Sequence, residues 1–203
     1  MANILLVLSS PRGEASHSGR VARAVVQRLQ AADPQASLRV RDLARQPLPH
    51  IDEDFVSGLA TAPEARSTAQ SAALAASDAV VQEVMEAEVV VLASAMINFG
   101  ISSTLKTWFD HLLRSGVTFK YTPEGPVGLL SGKKFFVVQA RGGIYSDPAN
   151  QPFDFQAPHI RQMLAFIGVT DVEVVNVEGL ALGAEVEQQA LSSAMARVER
   201  LAA

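Results

Sequence analysis

The sequence predicts an α/β fold built on a doubly wound, five-stranded parallel sheet of order 2-1-3-4-5. Three observations carry this. Continuous apolar runs recur along the chain, as expected of parallel strands covered by helices on both faces. Between them lie segments with apolar residues at helical spacing. One further run alternates apolar with charged residues, as an edge strand does. The length of 203 residues fits one domain over residues 1–203 with a sizeable core.

The elements follow in chain order. Residues 4–8 form a short β-prone run that ends at Ser9-Ser10-Pro11. A helix is expected over residues 18–32, with Val21, Val25 and Leu29 on one stripe and Ser18 as N-cap. In residues 37–42, Leu38 and Val40 alternate with Arg39 and Arg41, which predicts an edge strand with one wet face. Asp52, Glu53 and Asp54 open a solvated helix. Residues 62–86 read as a long alanine-rich helix beginning near Pro63. The third strand is expected over residues 88–93. The following helix, residues 104–114, puts Leu105, Trp108, Phe109, Leu112 and Leu113 on one face. Strands over residues 134–139 and 171–177, with helices over 157–167 and 184–201, complete the alternation, and Gly168 supplies a helix stop. The order 2-1-3-4-5 leaves the polar second strand at an edge.

Composition excludes several function classes. The chain has no cysteine, so disulfides, thiolate nucleophiles and Cys-ligated metal centres are absent. A net charge of −4 gives no basic surface for nucleic acid. The run 4–8 is too short for a signal peptide core or a membrane span, so the expectation is a cytoplasmic protein without a membrane partner. The four histidines show no metal-ligand spacing, and His111 reads as structural. No Gly-x-Ser-x-Gly elbow accompanies the serines.

In a sheet of this order, ligands bind beyond the carboxyl ends of the strands near the point where strand order reverses. The loops after strands one, three and four then converge. The first, residues 9–18, offers Ser10, Ser16 and Ser18 hydroxyls beside free N–H groups at a helix N-terminus, which attract a phosphate. By itself this loop fits a solvated helix cap equally well, and Arg12 fits an exposed loop arginine. Neither Gly-x-x-x-x-Gly-Lys-Ser/Thr nor Gly-x-Gly-x-x-Gly follows the first strand, which disfavours triphosphate and dinucleotide sites and favours a monophosphate. The second loop contains Met96, Ile97, Asn98 and Phe99, against which a flat ring can lie; it also suits a packed turn. The third contains Ala140, Arg141, Gly142 and Gly143, where paired glycines permit close approach of a ligand or an ordinary turn.

Six segments then occur in an order that resembles one family along essentially the whole chain. They are Met96-Ile97-Asn98-Phe99, Leu105-Lys106-Thr107-Trp108-Phe109-Asp110-His111, Gly116-Val117-Thr118-Phe119-Lys120-Tyr121-Thr122, Gly125-Pro126-Val127-Gly128-Leu129, Arg141-Gly142-Gly143 and Phe166-Ile167-Gly168-Val169-Thr170. The chain resembles the FMN-dependent NADH azoreductases, also called FMN-dependent NADH:quinone oxidoreductases, of flavodoxin-like fold. The resemblance implies FMN as cofactor, NADH as electron donor, quinones and aromatic azo compounds as acceptors in a two-electron ping-pong cycle, and a homodimer with an active site at each interface. It implies that Ser10, Ser16, His17 and Ser18 hold the phosphate. Met96, Ile97, Asn98 and Phe99 would line the ribityl chain and ring, and Ala140, Arg141, Gly142 and Gly143 would border its pyrimidine side. Phe99, Phe119 and Tyr121 are the expected aromatic walls of the substrate slot; for Phe119, packing of a hairpin on its own domain is the equal alternative. No residue is assigned as catalytic, because the flavin carries the chemistry. Ile97 and Ala140 depart from the family, where Tyr and Ser or Thr are common, so a hydroxyl near the cofactor is missing at each. The alternative function is a non-enzymatic flavodoxin-like electron carrier or redox-regulated binding module.

Overall fold

A computed structural model describes residues 2–201. Seven strands and six α-helices follow in order: β1 (Asn3–Leu8), α1 (His17–Ala32), β2 (Ser37–Asp42), α2 (Glu53–Ala60), α3 (Thr68–Glu86), β3 (Val89–Ala95), α4 (Ser103–Leu112), β4 (Phe119–Thr122), β5 (Gly125–Gly128), β6 (Lys134–Ala140), α5 (Gln156–Phe166), β7 (Asp171–Val177) and α6 (Ala184–Glu199). Five strands form a parallel sheet in the order β2-β1-β3-β6-β7, and β4 and β5 form a separate antiparallel pair.

The sheet is therefore numbered 2-1-3-6-7, not 2-1-3-4-5. The difference is the hairpin, in which a turn at Pro123-Glu124 joins Thr122 to Gly125. Its half-exposed, glycine-rich second strand lacks the continuous apolar run that marks the sheet strands.

Alternation along each strand divides the core into two layers. Ile4, Leu6, Val91, Phe136 and Val138 face α1 and α6, packing on Val21, Val25, Leu191 and Val198. Leu5, Val7, Val90, Leu92, Phe135 and Val137 face α3, α4 and α5, packing on Val80, Val84, Leu105, Trp108, Phe109, Leu112, Ile160 and Leu164. Leu113, expected on the α4 stripe, is only partly buried because the helix ends at Leu112.

Three local expectations need correction. The N-cap of α1 is Ser16, whose Oγ accepts from the Gly19 N–H at 3.1 Å; Ser18 lies inside the first turn. The alanine-rich segment is not one helix from residue 62. Pro63–Ala65 makes a single 3-10 turn, and α3 starts afresh behind Ser67, which forms a reciprocal capping box with Gln70. Finally, β2 is wet on both faces. Leu38 and Val40 are 42% and 47% exposed, while Arg41 pairs with Glu83 and Arg39 with Glu86 on α3.

The capping box carries a prediction. Ser67→Ala removes the acceptor for the Gln70 N–H, and urea denaturation should show a loss of about 1 kcal/mol with an unchanged m-value.

Candidate cofactor cleft

The carboxyl ends of β1, β3, β6 and β7 open onto one cleft of about 200 Å³. Ser10, Pro11, Arg12, Ser16, His17 and Ser18 form one wall; Ala95, Met96 and Ile97 come from the end of β3, Ala140, Arg141 and Gly142 from the end of β6, and Leu180 and Ala181 from beyond β7. Nine of the twelve residues expected around a cofactor thus meet. Asn98, Phe99 and Gly143 stand outside the lining, as do Phe119 and Tyr121.

At the first wall, the Ser10, Ser16 and Ser18 side chains are all buried, and the Ser16 and Ser18 hydroxyls lie 3.1 Å apart. The backbone N–H groups of His17 and Ser18 have no intrachain acceptor among the described residues. They belong to the first turn of a sixteen-residue helix, where the macrodipole also favours an anion. The His17 imidazole turns toward α6, with Nε2 3.4 Å from Glu187. Arg12 is exposed.

The second wall is strained. Ile97 and Gly100 exchange backbone hydrogen bonds of 2.9 and 3.0 Å, closing a tight turn around Asn98 and Phe99. Both central residues have positive φ, +46° and +71°. Asparagine tolerates this conformation, whereas for phenylalanine it costs about 1 kcal/mol or more. The turn leaves Ile97 and Phe99 41% and 53% exposed, and the Asn98 side chain makes no hydrogen bond among the described residues. The Phe99 carbonyl accepts from the Phe155 N–H at 3.0 Å, and its ring lies 6.4 Å from that of Phe153.

At the third wall the Ala140 backbone is engaged even though its side chain is only a methyl group: its carbonyl accepts from Met96 N–H at 2.8 Å. Arg141 points into the protein. Its guanidinium donates to Gln156 Oε1 (2.9 Å), Glu178 Oε1 (2.9 Å) and Gln139 Oε1 (2.6 Å), and pairs with Asp154 at 3.0 Å. With its side chain 3% exposed, it offers the cleft backbone and not charge. Glu178 also accepts from the Tyr145 and Ser146 N–H groups. Burial alone would raise its pKa, but these donors and the Arg141 charge outweigh it and hold the carboxyl below the ordinary glutamate range.

The hairpin sits apart from this lining. Phe119 is 8% exposed and packs against Phe166 with tilted rings at 4.6 Å; Tyr121, 71% exposed, meets Phe119 edge-on at 5.6 Å. His111 is structural: buried, it is held by the Pro49 carbonyl at 2.8 Å and packs edge-on against Phe55.

Sequence reasoning missed Leu180 and Ala181, which come from the loop after the last strand. Their backbone N–H groups donate to Arg141 and Gly142 carbonyls. The visible signal was the pair of glycines that flank them, Gly179 and Gly183, both at positive φ.

Comparison with known proteins agrees with this geometry. Residues 2–202 match the family Flavodoxin_2, described as having a flavodoxin-like fold. A relative from Mesorhizobium japonicum, named FMN-dependent NADH:quinone oxidoreductase, is 49% identical over 201 residues, covering 99% of this chain and 96% of its own. The chain belongs to this family. Another member, from Azotobacter vinelandii, is 46% identical over 202 residues, with both chains fully covered. Among solved structures, an azoreductase from Bacillus anthracis superimposes with a TM-score of 0.89 at 30% identity, over 99% of this chain and all of its own. An FMN-dependent NADH-azoreductase of the same species, solved with FMN, gives a TM-score of 0.88 at 25% identity with both chains fully covered.

Proposed function

We propose that this chain is an FMN-dependent oxidoreductase that uses NADH to reduce quinones and aromatic azo compounds. The observation that carries the reading is the meeting of three features in one cleft: an anion seat at the start of α1, the apolar residues Met96 and Ile97, and the close-approach backbone at Gly142. This suits a cofactor with a phosphate at one end and a flat ring at the other. The full-length relatives named as NADH:quinone oxidoreductases favour the enzyme over the electron-carrier reading.

The residues present fit FMN. The unpartnered His17 and Ser18 N–H groups and the three buried serine hydroxyls match a phosphate monoester. In this reading Ser10, Ser16, His17 and Ser18 hold the phosphate, with His17 acting through its backbone. Met96, Ile97, Asn98 and Phe99 flank the ribityl chain and ring, and Ala140, Arg141, Gly142 and Gly143 border the ring through main-chain groups. When bound, FMN supplies two-electron hydride chemistry between donor and acceptor. The chain's own work is to fix the ring's position and to exclude water with Met96, Ile97 and Phe99. Tyr121, Phe99 and Phe119 make the substrate slot, Phe119 by bracing Tyr121.

The protein is further proposed to be one FMN-binding domain acting as a cytoplasmic homodimer. Exposed apolar side chains support the dimer: Tyr121, Phe155, Phe153, Phe99 and Val56 each leave more than half of their surface open. No helix among the described residues is long and apolar enough to cross a membrane.

The test is steady-state oxidation of NADH by the purified, FMN-loaded protein with a small quinone. Turnover above that of free FMN is expected; its absence would reject the reductase. The phosphate seat has a sharper test. Ser10→Asp keeps an acceptor for the Arg12 N–H but puts a negative charge on the wall. FMN affinity, measured by fluorescence quenching, should fall about a hundredfold, while riboflavin, which has no phosphate, is affected far less.

A further inference from the structure

The last ladder bond between the two central strands joins the Met96 N–H to the Ala140 carbonyl. Beyond it the chains diverge into the two loops that line the cleft, and the backbone no longer couples them. A side-chain relay continues the coupling. Ser94 and Gln139 are register partners on β3 and β6, with side chains on the same face, and Arg141 lies two residues after Gln139. Arg141, which also donates to Gln139, and Ser94 converge on Gln156, the first residue of α5. Its Oε1 accepts from Arg141 Nε at 2.9 Å and its Nε2 donates to Ser94 Oγ at 2.9 Å. Gln156 is 0% exposed, as is Ser94.

Burying a glutamine amide is costly unless both of its ends are paired, and here each end is paired to the root of a different cleft loop. The residue before it completes the arrangement. The Phe155 N–H donates to the carbonyl of Phe99, the strained residue at the tip of the 97–100 turn. Asp154 caps the same helix start through the Gln156 and Ala157 N–H groups and pairs with Arg141. The start of α5 is thus tied to both walls.

We propose that Gln156 is a positioning residue for cofactor binding: through Arg141 on one side and Ser94 and Phe155 on the other, it holds the 140–143 and 96–99 loops at a fixed spacing. The inference rests on the reading of the cleft as an FMN site. It goes beyond that reading in giving a buried residue, outside the lining, control over the width of the cleft.

A double-mutant cycle of Gln156→Leu and Ser94→Ala tests it. The readouts are FMN dissociation by fluorescence, the visible circular dichroism of the bound flavin, and the melting temperature of the cofactor-free protein. Gln156→Leu should weaken FMN binding about tenfold and Ser94→Ala about threefold, both with an altered visible dichroism band. The double variant should bind no more weakly than Gln156→Leu alone, because both changes cut one relay. Losses that multiply, or variants that melt earlier yet bind FMN with unchanged affinity and spectrum, overturn the proposal. Should Gln156→Leu fail to fold, Ser94→Ala decides alone: weaker binding with an altered band supports the relay, and wild-type binding and spectrum overturn it. Wild-type protein that binds no FMN would reject the cofactor reading itself, an outcome distinct from wild-type binding with indifferent variants.

Discussion

Gly128→Ala is expected to destabilise the protein by about 3 kcal/mol, the upper range for forcing atoms into a packed site. A Cβ at Gly128 would lie 2.0 Å from the Gly168 N, 2.2 Å from the Ile167 carbonyl carbon and 2.4 Å from the Gly168 Cα. These are backbone atoms at the end of α5, and no rotamer change relieves them. Gly168 itself has φ of +91°, so that segment is already fixed in a conformation few other residues adopt. The hairpin β4–β5 would have to lift, releasing the Leu130 N–H from the Ile167 carbonyl and Phe119 from Phe166. Urea denaturation gives the stability loss, and limited proteolysis within residues 119–128 reports the lifting. Gly132→Ala is the control. Its φ is +82° with nothing within 4 Å of the new methyl group, so only backbone strain of about 1 kcal/mol is expected. Equal losses in the two variants would show that the collision is relieved.

Glu178→Ala should cost about 2 kcal/mol near neutral pH, because it removes a largely buried carboxylate that pairs with Arg141 and accepts from two backbone N–H groups. Arg141 keeps Asp154, but the Tyr145 and Ser146 N–H groups lose their common acceptor. The effect must depend on pH. The folded-state pKa of Glu178 is lowered, so its contribution is fully present above the unfolded value of about 4.3 and fades as pH falls through the lower folded value. The stability difference between wild type and Glu178→Ala should therefore be constant from neutral pH down to about pH 5 and shrink in more acidic buffer. A difference that grew on acidification would contradict the assigned direction. Leu180 and Ala181 adjoin Glu178, so FMN affinity should fall in parallel.

The site was legible where function needs local chemistry. Ser10, Ser16 and Ser18 before a helix, and Met96 to Phe99 after an apolar strand, are local patterns that the sequence displays directly, and the fold brings Ser10, Ser16, Ser18, Met96 and Ile97 into one cleft. The N-cap lies two residues before the expected Ser18 because Ser16 and Ser18 are equally good caps by type, and only the Gly19 N–H selects between them. The break between Pro63 and Ser67 was hidden by alanine, whose helical preference is high on both sides. The hairpin is legible only as an alternative packing for Phe119, without strand bounds, because β5 is held by docking on Gly168 and not by an apolar pattern of its own.

Apolar periodicity by itself determined the parallel sheet, the alternation of helices and the convergence of loops at one end, because burial on two faces leaves an imprint in β1, β3 and β6. Tertiary structure alone decided which way the polar residues turn. Arg141 reads as a cleft residue in sequence, yet Glu178 after β7 and Asp154 and Gln156 at the start of α5 join its neighbour Gln139 and capture its charge inside. Leu180 and Ala181 join the cleft only because β7 lies beside β6. Such partners are far apart in the chain, and no local pattern records a hydrogen bond between residues that only the folded sheet brings within 3 Å.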